Sequence, residues 1–207
     1  MWLDRNLGAT QVATSSTDSA AYGDLYQWGR ATDGHQSRTL DVAGSTTSNG
    51  TTNTTMTRAT SISSVGAKFI KTGTSPFEWI ENNTQDGNNI DDSGALRTAA
   101  WANGGANDIC PSGFSVPTEA EITADTISAT TTDITSSATA FSSFLKIPVA
   151  GYRDRANGAL GSVGSGAGLW SRSAVGTGGR YLGVSGSLAG FYSGYRVHGF
   201  SVRCIKD

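Results

Sequence analysis

Two cysteines, two histidines and one run of acids are the residues whose types could do chemistry in this chain. Cys110 and Cys204 lack a C-x-x-C partner, and two thiols cannot complete a zinc site of cysteines alone, so they read as one disulfide or as two buried thiols. A bond between them would close a loop of nearly half the chain, worth about 4–5 kcal/mol by chain entropy, and would suit an oxidising compartment. His35, in a polar loop, and His198 have no third ligand at fixed spacing, and read as surface or packing histidines. Asp86, Asp91 and Asp92 form the one metal-like cluster. Its spacing misses the Gly and Glu of the helix-loop-helix calcium pattern, so a solvated turn is the simpler reading and calcium the alternative; no other cofactor is expected.

Catalytic motifs fail on similar grounds. Thr118 is placed to cap a helix whose first turn carries Glu119 and Glu121, and carboxylates are favoured there by the exposed amides. Two residues apart, they lie on different helix faces, a poor acid and base pair. Gly183-Val184-Ser185-Gly186-Ser187 lacks the last glycine of a nucleophile elbow, and Gly164-Ser165-Gly166-Ala167-Gly168 lacks the lysine of a phosphate loop. A non-enzyme is expected.

The elements that must position these residues are written in an unusual composition. The chain has 207 residues, only 15% of them charged, and a formal net charge of −2. That balance gives nucleic acid nothing to attract it, and no apolar run is long enough to insert in a membrane. One domain over residues 1–207 is expected, with a Thr/Ser/Asn-rich surface excursion at about 32–64 that carries Asn-x-Thr sequences at Asn49 and Asn53; another lies at Asn82. Trp2 to Leu7 alternates like a short strand, and the abrupt aromatic start suits the C-terminal domain of a longer protein. The tryptophans read as core anchors.

From Gly151 onward the chain is rich in Gly, Ser and aromatics, with no acid between Asp154 and Asp207. Such a segment needs a scaffold supplied by the rest of the chain. Within it, Arg172, Arg180, Tyr181, Leu188, Phe191, Tyr192, Tyr195, Arg196 and His198 stand among small residues. Tyr and Arg with adaptable neighbours make a contact surface of large area and modest entropy cost. The competing reading is a set of Gly/Ser strands with half of those aromatics buried. Residues 199–204 read as a core strand.

Six blocks carry a resemblance: Trp2-Leu3-Asp4-Arg5-Asn6-Leu7-Gly8-Ala9, Tyr22-Gly23-Asp24-Leu25-Tyr26-Gln27-Trp28-Gly29-Arg30, Cys110-Pro111-Ser112-Gly113-Phe114-Ser115-Val116-Pro117-Thr118-Glu119-Ala120-Glu121, Ala150-Gly151-Tyr152-Arg153, Leu169-Trp170-Ser171 and Gly199-Phe200-Ser201-Val202-Arg203-Cys204. Together, and in order, they resemble the Fibrobacter succinogenes major paralogous domain. The resemblance implies an α+β, C-type lectin-like fold: a small twisted antiparallel sheet with flanking helices and long binding loops. It also implies that Cys110 and Cys204 are the family's disulfide pair. The distantly related formylglycine-generating enzymes need a reactive cysteine pair at the substrate groove, which scaffold cysteines do not supply. The Glu-Pro-Asn, Gln-Pro-Asp and Trp-Asn-Asp triplets of calcium-dependent sugar binders are absent.

The chain is also similar to retroelement-diversified ligand-binding proteins of phages and bacteria. Their randomised codons cannot encode Lys, Glu, Gln, Met or Trp, and none of these occurs in residues 171–203. The resemblance implies an extracellular, cell-surface or virion protein that binds a protein or glycan on a cell or virion surface. The alternatives are a structural or decoration subunit of a virion or cell-surface assembly and, disfavoured by the scaffold cysteines, a formylglycine-generating-type enzyme; the partners then include a homo-oligomer or larger assembly.

Overall fold

The computed structural model describes residues 1–38, 54–83, 88–89, 91–127 and 133–207. Asn49, Asn53 and Asp86, named above, lie outside the described residues, as does the side chain of Asn82. In chain order, the strands β1 (Tyr26–Gln27), β2 (Thr54–Thr55), β3 (Phe69–Ile70), β4 (Asn82–Asn83) and β5 (Asn88–Asn89) precede helix α1 (Ala95–Ala100). Then come β6 (Phe114–Ser115), α2 (Glu119–Thr126), α3 (Ser137–Ser142), β7 (Tyr152–Arg153) and β8 (Leu160–Gly161). The three long strands are late: β9 (Ala167–Val175), β10 (Gly178–Val184) and β11 (Ala189–Tyr195), before β12 (Gly199–Phe200) and β13 (Ile205–Lys206). The fold is mixed α+β, built of small sheets with few helices.

The long strands form where the sequence is poorest in helix formers. Gly176 (φ 50°) and Thr177 make a two-residue turn between β9 and β10, the left-handed geometry that keeps hairpin strands in twist. These strands make a three-stranded antiparallel sheet in the order β11-β10-β9. A second antiparallel sheet runs β1-β12-β7-β8, joined to the first by the bridges Leu169 to Ser201 and Gly151 to Ala167. The cap read from sequence at Thr118 is present as a capping box. The Thr118 hydroxyl accepts from the Glu121 amide at 3.2 Å, and the Glu121 carboxylate accepts from the Thr118 amide at 2.7 Å.

Aromatics supply the core, and their polar atoms are satisfied by backbone. Trp28, Trp79, Trp101 and Trp170 are fully buried, and their indole N–H groups donate to the carbonyls of Ser171, Trp28, Arg30 and Tyr26 at 2.8, 2.8, 2.9 and 2.8 Å. Each tryptophan therefore ties distant stretches of backbone together as well as filling space. Trp2 and Leu7 do not form the expected strand. A single bridge from Trp2 to Ile205, and amides of Leu3 and Leu7 donating to Cys204 and Val202, lay this segment along the C-terminal stretch. Residues 199–204 are buried throughout, and Cys204 is disulfide-bonded to Cys110 across a separation of 94 residues.

Much of the charge lies inside. Arg97 is fully buried between Glu78 (2.7 Å) and Asp91 (2.8 Å), and Arg196 reaches the other Glu78 oxygen at 3.0 Å. Both guanidiniums lie over the Trp28 ring, at 5.5 and 5.0 Å from its centre. Such a network is destabilising to break, because removing one partner strands another charge away from water.

His35 corrects the reading of a polar loop: it is 1% exposed, and its neighbour Gln36 is buried too. The His35 Nε2 accepts from the Gln27 amide at 2.9 Å, which leaves Nδ1 to carry the proton toward Asp33 at 2.6 Å. Burial, reinforced by Arg30, pushes the His35 pKa down to about 4. Protonating Nε2 would also destroy the acceptor that holds Gln27.

Candidate ligand-binding cleft

Alternation along a strand sends successive side chains to opposite faces, and the register of β9, β10 and β11 makes the two faces unlike. On one, Leu169, Leu182 and Val184 pack with Ile122 of α2, Ala140 of α3 and Leu145, and Phe191 and Ala189 of β11 join them. On the other, Tyr181 stands opposite Trp170 on one side and Tyr192 on the other. Two residues along, Gly183 stands likewise between Gly168 and Gly190. A row of rings therefore borders a row of bare backbone.

Two of the three glycines are required by the rings. A Cβ on Gly168 would sit 2.7 Å from Phe200, and one on Gly183 would sit 3.0 Å from Tyr192 and 3.1 Å from Tyr181. Above this surface opens a cleft of about 710 Å³, within the usual range for small-ligand sites. Tyr195, His198, Phe200, Tyr181 and Tyr192 line it as a continuous belt, with successive planes tilted by 27°, 14°, 33° and 37°. Tyr152 meets His198 and Phe200 edge-on.

Ser162, Ser165, Ser185 and the exposed Leu188 complete the polar and aliphatic parts of the lining, which Ser193, opposite Arg180 and in phase with Phe191, enters at the edge. Ser162 adopts a left-handed backbone (φ 54°), unusual for a residue with a side chain; its carbonyl accepts from the Ser165 and Gly166 amides, which fixes the turn. The hydroxyls of Tyr152, Tyr181, Tyr192 and Tyr195 have no hydrogen-bond partner among the described residues.

No carboxylate, lysine or arginine lines the cleft among the described residues. Burial raises the Tyr181 phenol above its ordinary value, with Tyr192 and Tyr152 acting in the same direction, so it is neutral at pH 7. Burial also lowers His198 below the usual histidine range, against the backbone carbonyl of Arg153, so this ring too is neutral. The cleft is thus an uncharged site of rings and hydroxyls.

The residues singled out from sequence divide between the faces. Tyr181, Leu188, Tyr192, Tyr195 and His198 come together in the cleft. Phe191 packs toward the helices instead, one step out of phase. Arg180 is paired with Glu119 at the start of α2, which holds the Glu119 carboxyl below the usual range. Arg172 donates to the Val116 carbonyl at 2.9 Å. Arg196 is a correction: it is fully buried in the Glu78 network and offers nothing to a partner. Tyr152, Phe200 and the serines at 162, 165 and 185 are residues that the sequence pattern does not single out. Period-two alternation inside Gly-Tyr-Gly patterns is the signal that points to the ring face, and Tyr152 and Phe200 enter only through sheet pairing.

The acidic run also reads differently. Asp91 Oδ1 accepts from the Leu96 amide at 2.9 Å, and Oδ2 from the Arg97 amide and guanidinium at 3.1 and 2.8 Å, so a cation there would compete with Arg97. No three His, Cys, Asp or Glu side chains gather as a metal-holding group among the described residues. No family model matches the chain, and no curated protein or solved structure matches it.

Proposed function

We propose that this protein is a non-catalytic recognition module, which binds a ligand or receptor of a cell or virion surface through the ring-lined cleft. One observation carries the reading: an open cleft in which Tyr192 and Tyr195 are each 43% exposed and four phenolic hydroxyls are unpaired among the described residues. Large rings held on a rigid sheet give contact area with little entropy to lose on binding. The C-type lectin-like fold of the Fibrobacter succinogenes major paralogous domain, and diversification of this face by a retroelement, belong to the same proposal. Both rest on the six sequence blocks and the missing residue types of residues 171–203. The Cys110–Cys204 disulfide favours an extracellular, cell-surface or virion setting. No described helix is long and apolar enough to cross a membrane.

The test is a pair of variants, Tyr192→Ala and Tyr195→Ala, assayed for binding to cells or to a captured partner. Binding is expected to fall at least about tenfold, or 1.4 kcal/mol, with melting unchanged. Unchanged binding refutes the face. A second reading, an assembly subunit, draws on the outer edge of β11, which has no strand beside it among the described residues. Light scattering decides between them: a small soluble species fits recognition, and concentration-dependent polymers fit assembly.

A further inference from the structure

The chemistry of the lining narrows the ligand class. Resting on the proposal that the cleft is the recognition face, we infer that it takes a neutral saccharide chain, held by ring faces and hydroxyls and needing no metal ion.

Three observations converge. No charged side chain lines the cleft among the described residues; the Arg155 guanidinium stands 5.0 Å from the Tyr195 ring centre, at one end, and along the rest of the belt a carboxylated, sulfated or phosphorylated ligand would leave water without a counter-charge. The belt from Tyr195 to Tyr192 is aromatic from end to end, with no step between neighbouring planes above 37°. A pyranose ring presents a C–H face for such surfaces and a rim of hydroxyls for their edges, and repeating units suit a belt longer than one ring.

The third observation separates a saccharide from its nearest rival, an uncharged proline-rich peptide. Extended proline-rich segments also dock in aromatic grooves, and a hydroxyl can donate to their carbonyls, but with few N–H groups they leave the acceptor lone pairs of those hydroxyls unmatched. Here the one indole N–H of the ring row, that of Trp170, is spent on the Tyr26 carbonyl. Apart from His198, the polar groups on the ring side of the cleft are hydroxyls: those of the four tyrosines have no partner among the described residues and can both donate and accept, while those of Ser165 and Ser185 already bond the Ser162 and Leu188 backbone. Groups that do both are matched by ligand hydroxyls that do both. Gly168 and Gly183 let the Phe200, Tyr181 and Tyr192 rings lie close against the backbone, which keeps the floor of the cleft aromatic.

The experiment uses the full 207-residue chain on an array of neutral and acidic oligosaccharides, followed by saturation-transfer NMR and calorimetry with cellohexaose, maltohexaose, mannohexaose and N-acetylchitohexaose. At least one neutral chain is expected to bind, and to bind equally in EDTA. Tyr192→Phe, which keeps the ring and removes the hydroxyl, is expected to weaken binding about three- to tenfold, and Tyr192→Ala more than tenfold. Tyr192 is exposed, so melting should hold for both variants. Retention of acidic glycans alone, loss of binding in EDTA, or no neutral glycan bound at millimolar concentration overturns the saccharide assignment. If, in that event, a proline-rich peptide or a surface protein loses binding on Tyr192→Ala, the cleft stands as the recognition face and only the ligand class falls. If neither Tyr192→Ala nor Tyr195→Ala affects any ligand or cell, both inferences fall together.

Discussion

The two faces of the β11-β10-β9 sheet differ by one step of register and by almost everything else. The helix-side face is aliphatic, with Leu169 and Leu182 nearly inaccessible, and it holds the sheet to α2 and α3. The cleft-side face alternates rings with glycine, and its outer tyrosines stay in water. Burial of apolar surface stabilises the first, whereas the second leaves ring area uncovered that folding alone would have hidden. The difference teaches that the sheet is anchored on both sides, by aliphatics against the helices and by Trp170 in the aromatic core, while the β10-β11 end of the ring face stays open.

Substitutions on each face can break that contrast. Leu182→Ala should cost about 3 kcal/mol of stability, measured by urea unfolding, and leave ligand affinity of the folded fraction unchanged. A loss near zero would mean that the helix side is not an anchor.

The next effect separates the core from the cleft by pH. The His35 pKa is depressed from 6.5 to about 4, so the folded state disfavours its charged form. Its contribution is complete above the unfolded value and is lost as pH falls. Between pH 7 and pH 5 this amounts to about 2 kcal/mol, before most carboxylates titrate. His35→Gln should flatten the stability curve in that window, and an equally steep curve in the variant would remove His35 as its cause.

Smaller still is Gly183→Ala, whose methyl group meets both Tyr181 and Tyr192; about 1 kcal/mol of stability is expected to go, together with most of the binding. Smallest is Tyr192→Ala, at about 0.5 kcal/mol or less in stability against at least tenfold in binding. If Tyr192→Ala instead destabilises like Leu182→Ala, the two faces are one core and the contrast fails.

The sequence made some of this legible because the signals were local. Thr118 and Glu121 sit at the spacing of a cap, and the tryptophans could be read as anchors from their size. Tyr192 and Tyr195 stood out among small neighbours. The arginines misled because their partners are remote: Glu78 is 118 residues from Arg196, and Glu119 is 61 from Arg180. Nothing near either arginine in sequence announces an acid. Nor could the rows of rings and glycines be read, since a Gly/Ser-rich segment has no strong apolar alternation to fix register; the pairing of β9, β10 and β11 does so. His35 was misplaced because Thr, Ser and Gly around it resemble a loop, while the Gln27 amide and Asp33 that hold it are recognisable only once folded.

The Cys110–Cys204 bond has a mechanical side. Tension applied at the two ends of the chain would pass from Cys110 straight to Cys204, leaving residues 111–203, with every strand of the cleft, outside the load path. Roughly 300 Å of extension is locked away by that shortcut. The load would fall instead on residues 1–110, whose Tyr26, Trp28 and Glu78 bond to Trp170, Ser171 and Arg196, so force would reach the cleft strands only through their scaffold.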